Sequence, residues 1–272
     1  MNLQSRSQII EMLERHDLLP RKAYGQHFLA DPNLIRKLVA LAEAGPADSL
    51  LEVGAGTGAL TAALAATGAR VLAYEVDERL RPILAETLAG LEVDLRFADI
   101  MGVDLEAALD GVGWKLVANL PYNVGTPLVL EILLTVPAVT TVVVMVQREV
   151  ADRLAAAPGS EDYGLPSVVV GLTAAVGERF TVPPQVFVPA PQVASSVIRL
   201  DRVEAPVGLE AAVRLARMAF GQRRKMLRRS LADAVPVSAY EAAGIDPEGR
   251  PEQLAPGEFV ALAEATEQVR HG

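Results

Sequence analysis

Cysteine is absent from the chain, which excludes disulfides and thiolate metal sites. The histidines, His16, His27 and His271, are few and far apart in sequence, so no metal centre is expected. Long apolar runs are also missing. The longest, 138–146 and 165–176, fall short of a bilayer span and are interrupted by Thr, Ser or Gly, and no membrane partner is expected. The opening residues, Met1-Asn2-Leu3-Gln4-Ser5-Arg6, lack the apolar core of a secretory signal. The expected location is the cytoplasm.

What is present is core-forming material: 272 residues with 51% apolar content, room for a full α/β domain and a smaller partner. The net charge of −9, taken as a single number, argues against a nucleic-acid partner. Its distribution reverses that. Between Pro206 and Val237, Arg214, Arg217, Arg223, Arg224, Lys225, Arg228 and Arg229 face only Glu210 and Asp233, a local net of +5. The segment 238–272 is acidic again, so the positive field is a patch.

Along the chain, the first twenty residues read as a short helix ended by Pro20, followed by a basic and aromatic arm, Arg21 to Leu29. The arm suits a strap over a ligand pocket, although composition alone favours a surface connector whose Phe28 and Leu29 enter the core. Asp31 and Pro32 open a helix to about Ala44. From Ser49 the pattern is strand, glycine turn, helix: Leu50 to Val53, then Gly54-Ala55-Gly56-Thr57-Gly58, then Ala59 to Ala66. A second strand, Val71 to Val76, carries Glu75 at its end. Glycines let backbone approach a ligand at the helix N-terminus, and an acid about twenty residues on can grip a ribose diol. That pattern fits a dinucleotide as well as S-adenosylmethionine. Glu52, just before the first glycine, would repel a pyrophosphate but tolerate ammonium and sulfonium charges. Asp99, at the end of the expected strand Asp94 to Phe97, is placed to accept from an adenine amino group, or simply to cap the next turn.

The chemistry converges on Asn119-Leu120-Pro121-Tyr122-Asn123, which follows the expected strand Leu116 to Ala118. An adenine N6 is a poor nucleophile because its lone pair is delocalised into the ring. The Asn119 side-chain oxygen and the Leu120 carbonyl can each accept one N6 hydrogen and so aim the lone pair at an electrophile. Pro121 fixes the local backbone, and Tyr122 offers a face for stacking a base. The plainer reading of the same residues is a turn leaving a strand.

After this clamp, a helix from Thr126 to Leu134, a buried strand Val139 to Val146 and a helix Gln147 to Ala157 are expected. Strands are expected at Ser167 to Val176 and Ser195 to Leu200, flanking the proline-rich stretch 182–191. Phe187 in that stretch could stack on a second face of the substrate base or fill the core. The strand pattern stops near Glu204, and a boundary there gives domains 1–204 and 205–272. Arg224 and Arg228, and Lys225 and Arg229, are four apart, so a continuous helix would gather their cations on one side for phosphate. A solvated face is the usual alternative. The fold class is α/β, a Rossmann-like S-adenosylmethionine-dependent methyltransferase sheet with a small all-helical C-terminal domain.

With these residues quoted, the chain resembles the ribosomal RNA small-subunit adenine dimethyltransferase family. The resemblance runs through Gly25 to Leu29, Glu52 to Gly58, Asn119 to Asn123, Phe187 to Pro191 with Ser195-Ser196-Val197, and Phe220 to Lys225. It implies transfer of methyl groups from S-adenosylmethionine to N6 of two adjacent adenines in the 3′-terminal hairpin of small-subunit ribosomal RNA. The implied partner is that RNA within a pre-assembled subunit, contacted by Arg223, Arg224, Lys225, Arg228 and Arg229, and the protein is expected to be a monomer. Implied cofactor contacts are His27, Leu29, Gly54, Gly56, Glu75, Val76, Asp99, Ile100 and Asn119; implied catalytic residues are Asn119, Leu120, Pro121, Tyr122 and Phe187. His27 departs from the family's usual Asn, and Gly125 from its common Ser, a change that could give the pocket slack for a second methyl group. Large-subunit ribosomal RNA adenine methyltransferases share the glycine block and clamp, but the Phe220 to Lys225 block argues for the small-subunit branch. DNA adenine methyltransferases usually carry two prolines in the clamp, so Leu120 argues against DNA. A ribosome-assembly factor acting without catalysis is the competing class, and the intact clamp favours an enzyme.

Overall fold

The structure is a computed structural model that describes residues 4–122 and 124–271. Ser5 opens the first helix, α1 (Arg6–Arg15), with a capping box: its hydroxyl oxygen accepts from the Gln8 N–H, and the Gln8 side chain accepts from the Ser5 N–H. The helix ends at Arg15, ahead of Pro20, where Asp17 turns the chain at φ 52°. The arm leads into a short strand, β1 (Phe28–Leu29), after which Asp31 caps α2 (Pro32–Leu41) by accepting from the Asn33 and Leu34 N–H groups.

Strand and helix then alternate: β2 (Ser49–Val53), α3 (Ala59–Ala65), β3 (Arg70–Glu75), α4 (Arg81–Thr87), β4 (Asp94–Phe97), α5 (Leu105–Ala108), β5 (Trp114–Asn119), α6 (Gly125–Thr135) and β6 (Val139–Gln147). After α7 (Arg148–Leu154) and α8 (Leu165–Thr173) come β7 (Ala174–Val182), β8 (Phe187–Val188) and β9 (Ser195–Arg202). The sheet runs β4-β3-β2-β5-β6-β9-β7, its first five strands parallel and β9 antiparallel to β6. Leu50, Leu51, Leu116, Val117 and Val143 are fully buried, as strands covered on both faces require. The chain moves from β2 towards β4 in one direction along the sheet and from β5 towards β6 in the other. That reversal opens a crevice beyond the C-terminal ends of β2 and β5. Separately, β1 and β8 form an antiparallel ribbon that pairs Phe28 with Val188 and Leu29 with Phe187.

One expectation fails outright. Residues 167–173 are helical, and the strand begins only at Ala174. Gly164 and Ser167 start α8, with the Gly164 N–H donating to the Ser167 hydroxyl and Pro166 in the first turn. Val168, Val169 and Val170 are all buried, and a run apolar on every side carries no period by which to tell helix from strand.

By compactness the chain forms two units, though a single cut near Glu204 does not produce them. One comprises the chain to Ala151 with Val176–Asp201; the other comprises Asp152–Ala175 with the chain from Arg202. The second unit is mainly helical, adding α9 (Leu209–Gly221), α10 (Leu227–Ser230), α11 (Val237–Ala243) and α12 (Pro256–His271) to α8. Within it, a Cβ on Gly171 of α8 would lie 2.6 Å from Pro256 Cγ, so the close approach of α8 and α12 requires glycine. Tyr163 is fully buried there and donates its hydroxyl to the Leu254 carbonyl. Among the described residues, no helix is long and apolar enough to cross a membrane.

Candidate active site

Gly54, at the end of β2, turns back at φ +81°, and its N–H and that of Ala55 both donate to the Tyr74 carbonyl on β3. A Cβ at Gly54 would lie 3.5 Å from Pro121 Cδ, and one at Gly56 3.1 Å from Phe28 Cδ1. The glycines therefore let three segments meet: the loop before α3, the clamp after β5, and the arm. Two crevices share Tyr24, Gly54, Val76 and Pro121. The narrower, with a cavity volume of about 70 Å³, lies among His27, Leu29, Glu52, Gly56, Glu75 and Asn119. The wider, about 420 Å³, adds Tyr74, Asp99, Ile100 and Val124.

Glu75 is buried, its Oε2 accepting from the Gly56 N–H at 2.7 Å and its Oε1 from the Asp77 N–H at 2.9 Å. Burial raises its pKa, and those backbone bonds offset only part of the rise. Asp99 is exposed and spends Oδ1 on capping a 3₁₀ turn at the Met101 N–H while still lining the wide crevice. Cap and crevice wall are both its roles.

Glu52, on the floor of the narrow crevice, is 1% exposed, and its Oε2 has no hydrogen-bond partner among the described residues. Desolvation, opposed by the Thr61 side chain and helped a little by the charge of Glu75, pushes its pKa up to about 8. A buried acid with one carboxyl oxygen left without a partner suits a cationic ligand and disfavours a pyrophosphate.

The clamp is fixed from several sides. The Leu120 N–H donates to the Met145 carbonyl of β6, and the Pro121 carbonyl accepts from the Val124 and Gly125 N–H groups, closing the turn. The Asn119 amide donates through Nδ2 to the His27 carbonyl at 3.0 Å. With the NH₂ so committed, Oδ1 is the end of the amide left to accept. Tyr122 is half-buried; its hydroxyl lies 3.1 Å from Ser195 Oγ, and its ring packs beside His27. Burial raises the Tyr122 pKa, the Ser195 bond acting against it. Asn123 lies outside the described residues.

The structure thus brings together His27, Leu29, Gly54, Gly56, Glu75, Val76, Asn119, Leu120, Pro121 and Tyr122 on the narrow crevice, and Asp99 and Ile100 on the wide one. It does not bring Phe187. That ring is 1% exposed in the core beneath the β1–β8 ribbon, its carbonyl accepting from Arg6, and it stacks on no ligand unless the ribbon parts. Gly125 lines neither crevice. A Cβ there would meet Val146 Cγ1 at 3.1 Å, so its small size gives room behind the clamp and no slack inside the pocket.

Sequence reasoning missed Gln4. Its side chain is buried, donating to the Thr57 carbonyl and Thr87 hydroxyl and accepting from the Thr57 hydroxyl, so the residue just ahead of the α1 cap braces the glycine turn. It also missed Gln26, which ties the arm to Asp77 at 3.0 Å.

In the helical unit the expected continuous basic helix is broken: α9 ends at Gly221 and α10 begins at Leu227, with turns between. Gly221 and the short polar run after it cannot propagate the helix. The cations consequently differ in kind. Arg223 donates to the Glu161 carbonyl and Arg228 pairs with Glu248, whereas Arg224, Lys225 and Arg229 are exposed and make no ion pair among the described residues.

A family model described as ribosomal RNA adenine dimethylase matches residues 18–268. The chain belongs to that family. This member of the ribosomal RNA adenine dimethylases is 44% identical over 269 residues to a protein of Phenylobacterium zucineum called ribosomal RNA small subunit methyltransferase A, covering 97% of this chain and 94% of that one. A Brucella canis protein of the same name is 43% identical, covering 97% and 99%. Among solved structures, a dimethyladenosine transferase from Plasmodium falciparum superposes with a TM-score of 0.75 at 23% identity, covering 87% of this dimethylase and 96% of that chain, a likeness of fold. The 23S rRNA methyltransferase ErmE gives 0.67 at 26% identity, covering 89% and 100%.

Proposed function

We infer that this protein is an S-adenosylmethionine-dependent adenine N6-dimethyltransferase of small-subunit ribosomal RNA, with Asn119 and Leu120 as the acceptors that activate the nitrogen. The supporting observation is the Asn119–His27 bond, which leaves the amide oxygen of Asn119 on the same crevice as the glycine turn.

The residues fit the cofactor. The wide crevice with Val76, Asp99 and Ile100 suits an adenine, Glu75 a ribose diol, and the unpartnered Oε2 of Glu52 the ammonium end. When bound, S-adenosylmethionine supplies an electrophilic methyl carbon on a sulfonium. The chain's own work is done on the other reactant. Asn119 Oδ1 and the Leu120 carbonyl each take one N6 hydrogen, drawing the lone pair out of conjugation. Tyr122 stacks the extruded base. The methylated nitrogen is a strong acid, so it gives its proton to water and no histidine or carboxylate is needed as base.

The relatives named as small-subunit methyltransferases, at 43–44% identity, support the small-subunit target over the large-subunit one. Two adjacent adenines in the 3′-terminal hairpin, presented in a pre-assembled subunit to a monomeric enzyme in the cytoplasm, complete the reading, with Arg224, Lys225 and Arg229 contacting phosphate. Labelled methyl transfer to immature small subunits is the test. Incorporation at two N6 positions is expected, and none would leave only an RNA-binding assembly role.

A further inference from the structure

Tyr122, like Asn119, is a clamp residue whose side chain is held by a partner outside the clamp. Its hydroxyl meets Oγ of Ser195 at 3.1 Å, and Ser195 is 1% exposed. Ser195 pairs with Gln147 in the β6–β9 ladder, while Asn119 pairs with Met145 in the β5–β6 ladder. One sheet therefore carries both the nitrogen acceptor and the serine that meets the tyrosine.

His27 stands beside the phenol ring, centroids 5.3 Å apart and planes inclined by 33°. His27 is itself fixed. A carbonyl only accepts, so its Nδ1 carries the proton and donates to the Pro189 carbonyl at 2.7 Å. Stacking a base needs the ring alone, and phenylalanine would supply it equally well. The hydroxyl has another use.

We propose that Ser195 is a positioning residue for methyl transfer: through the Tyr122 hydroxyl it fixes the ring plane on which the substrate adenine lies, with His27 occupying one side of that ring. This rests on Tyr122 being the stacking platform. A ring free to tilt would let the base swing N6 away from Asn119 and Leu120, and displacements of that size are costly in rate. Ser195 lines neither crevice, so the loss falls on turnover and spares cofactor affinity.

The experiment compares Tyr122→Phe, Ser195→Ala and their double variant in labelled methyl transfer to small-subunit RNA. Each single change is expected to lower kcat roughly three- to tenfold, the worth of one hydrogen bond, with KM for the cofactor held within about twofold. The double variant is expected to be no slower than the slower single, and Ser195→Thr, which keeps a hydroxyl, to recover most of the rate. Wild-type kcat in Ser195→Ala overturns the proposal, as do losses that multiply in the double variant or equal loss in Ser195→Thr with a lowered Tm. Tyr122→Ala separates the two levels. If it is inactive while Ser195→Ala is normal, only the role of Ser195 falls; if it is fully active, the stacking platform falls with it.

Discussion

The side-chain amide of Asn119 donates to the main-chain carbonyl of His27 at 3.0 Å, joining the end of β5 to the arm that crosses the crevice. The bond spends a donor of the amide on the protein and leaves Oδ1 as the end able to accept. It also makes arm and clamp a single assembly, because Gln26 ties the next residue of the arm to Asp77 beyond β3.

The Glu52 carboxyl gives a prediction in pH. Burial raises it from 4.5 to about 8, so the folded state disfavours its ionised form. The unfolded chain ionises first. Stability is therefore whole below about pH 4.5 and is lost as pH rises to about 8, by at most about 1.4 kcal/mol per unit. Glu52→Gln escapes the loss. Its Tm advantage over the unsubstituted protein should be absent near about pH 4, grow through neutrality and level off above about pH 8. A difference independent of pH would remove the buried neutral acid from the account. Cofactor binding should also release a proton near neutrality, visible as a buffer-dependent enthalpy that Glu52→Gln lacks.

Gln4 should matter to cofactor affinity although it lines neither crevice. Gln4→Ala leaves the Thr57 carbonyl and hydroxyl without these partners, at a cost of about 1–3 kcal/mol, and frees the glycine turn. Cofactor Kd by calorimetry should weaken several-fold while RNA affinity stays unchanged. Unaltered cofactor binding would mean that the turn keeps its shape without the Gln4 side chain.

The split among the basic residues ranks their expected contributions to RNA binding. Arg224→Ala with Arg229→Ala should weaken association and flatten its salt dependence, the slope of log K against log salt falling by up to about 0.9 per lost phosphate contact. Arg228→Ala, already paired with Glu248, should change the slope less. An unchanged slope in the double variant would make that surface merely solvated.

The parts legible in the sequence are those set by short-range constraint. Gly54 to Gly58 announced the turn because positive φ at those positions demands glycine. Asp94 to Phe97 announced β4, and a doubly wound sheet is expected from βα alternation. Where residues distant in sequence decide, the sequence misled. Val168 to Val170 read as strand because burial on all sides erases the helical period, and Phe187 read either as a stacking ring or as core because nothing local reveals that Phe28 and Leu29 pair with its strand. Arg224 and Arg228 read as one face because four-residue spacing means that only if the helix continues, and it stops at Gly221. Gln4 with Thr57, and Tyr122 with Ser195, are pairings that only the folded chain displays.

The most direct measurement is single-turnover methyl transfer by Asn119→Ala, with saturating labelled S-adenosylmethionine and small-subunit RNA, beside the RNA affinity of the same variant. The expected result is a rate lowered by about a hundredfold or more with RNA binding kept within about twofold. Transfer at nearly the unsubstituted rate would contradict the assignment of Asn119 as the acceptor that readies the nitrogen.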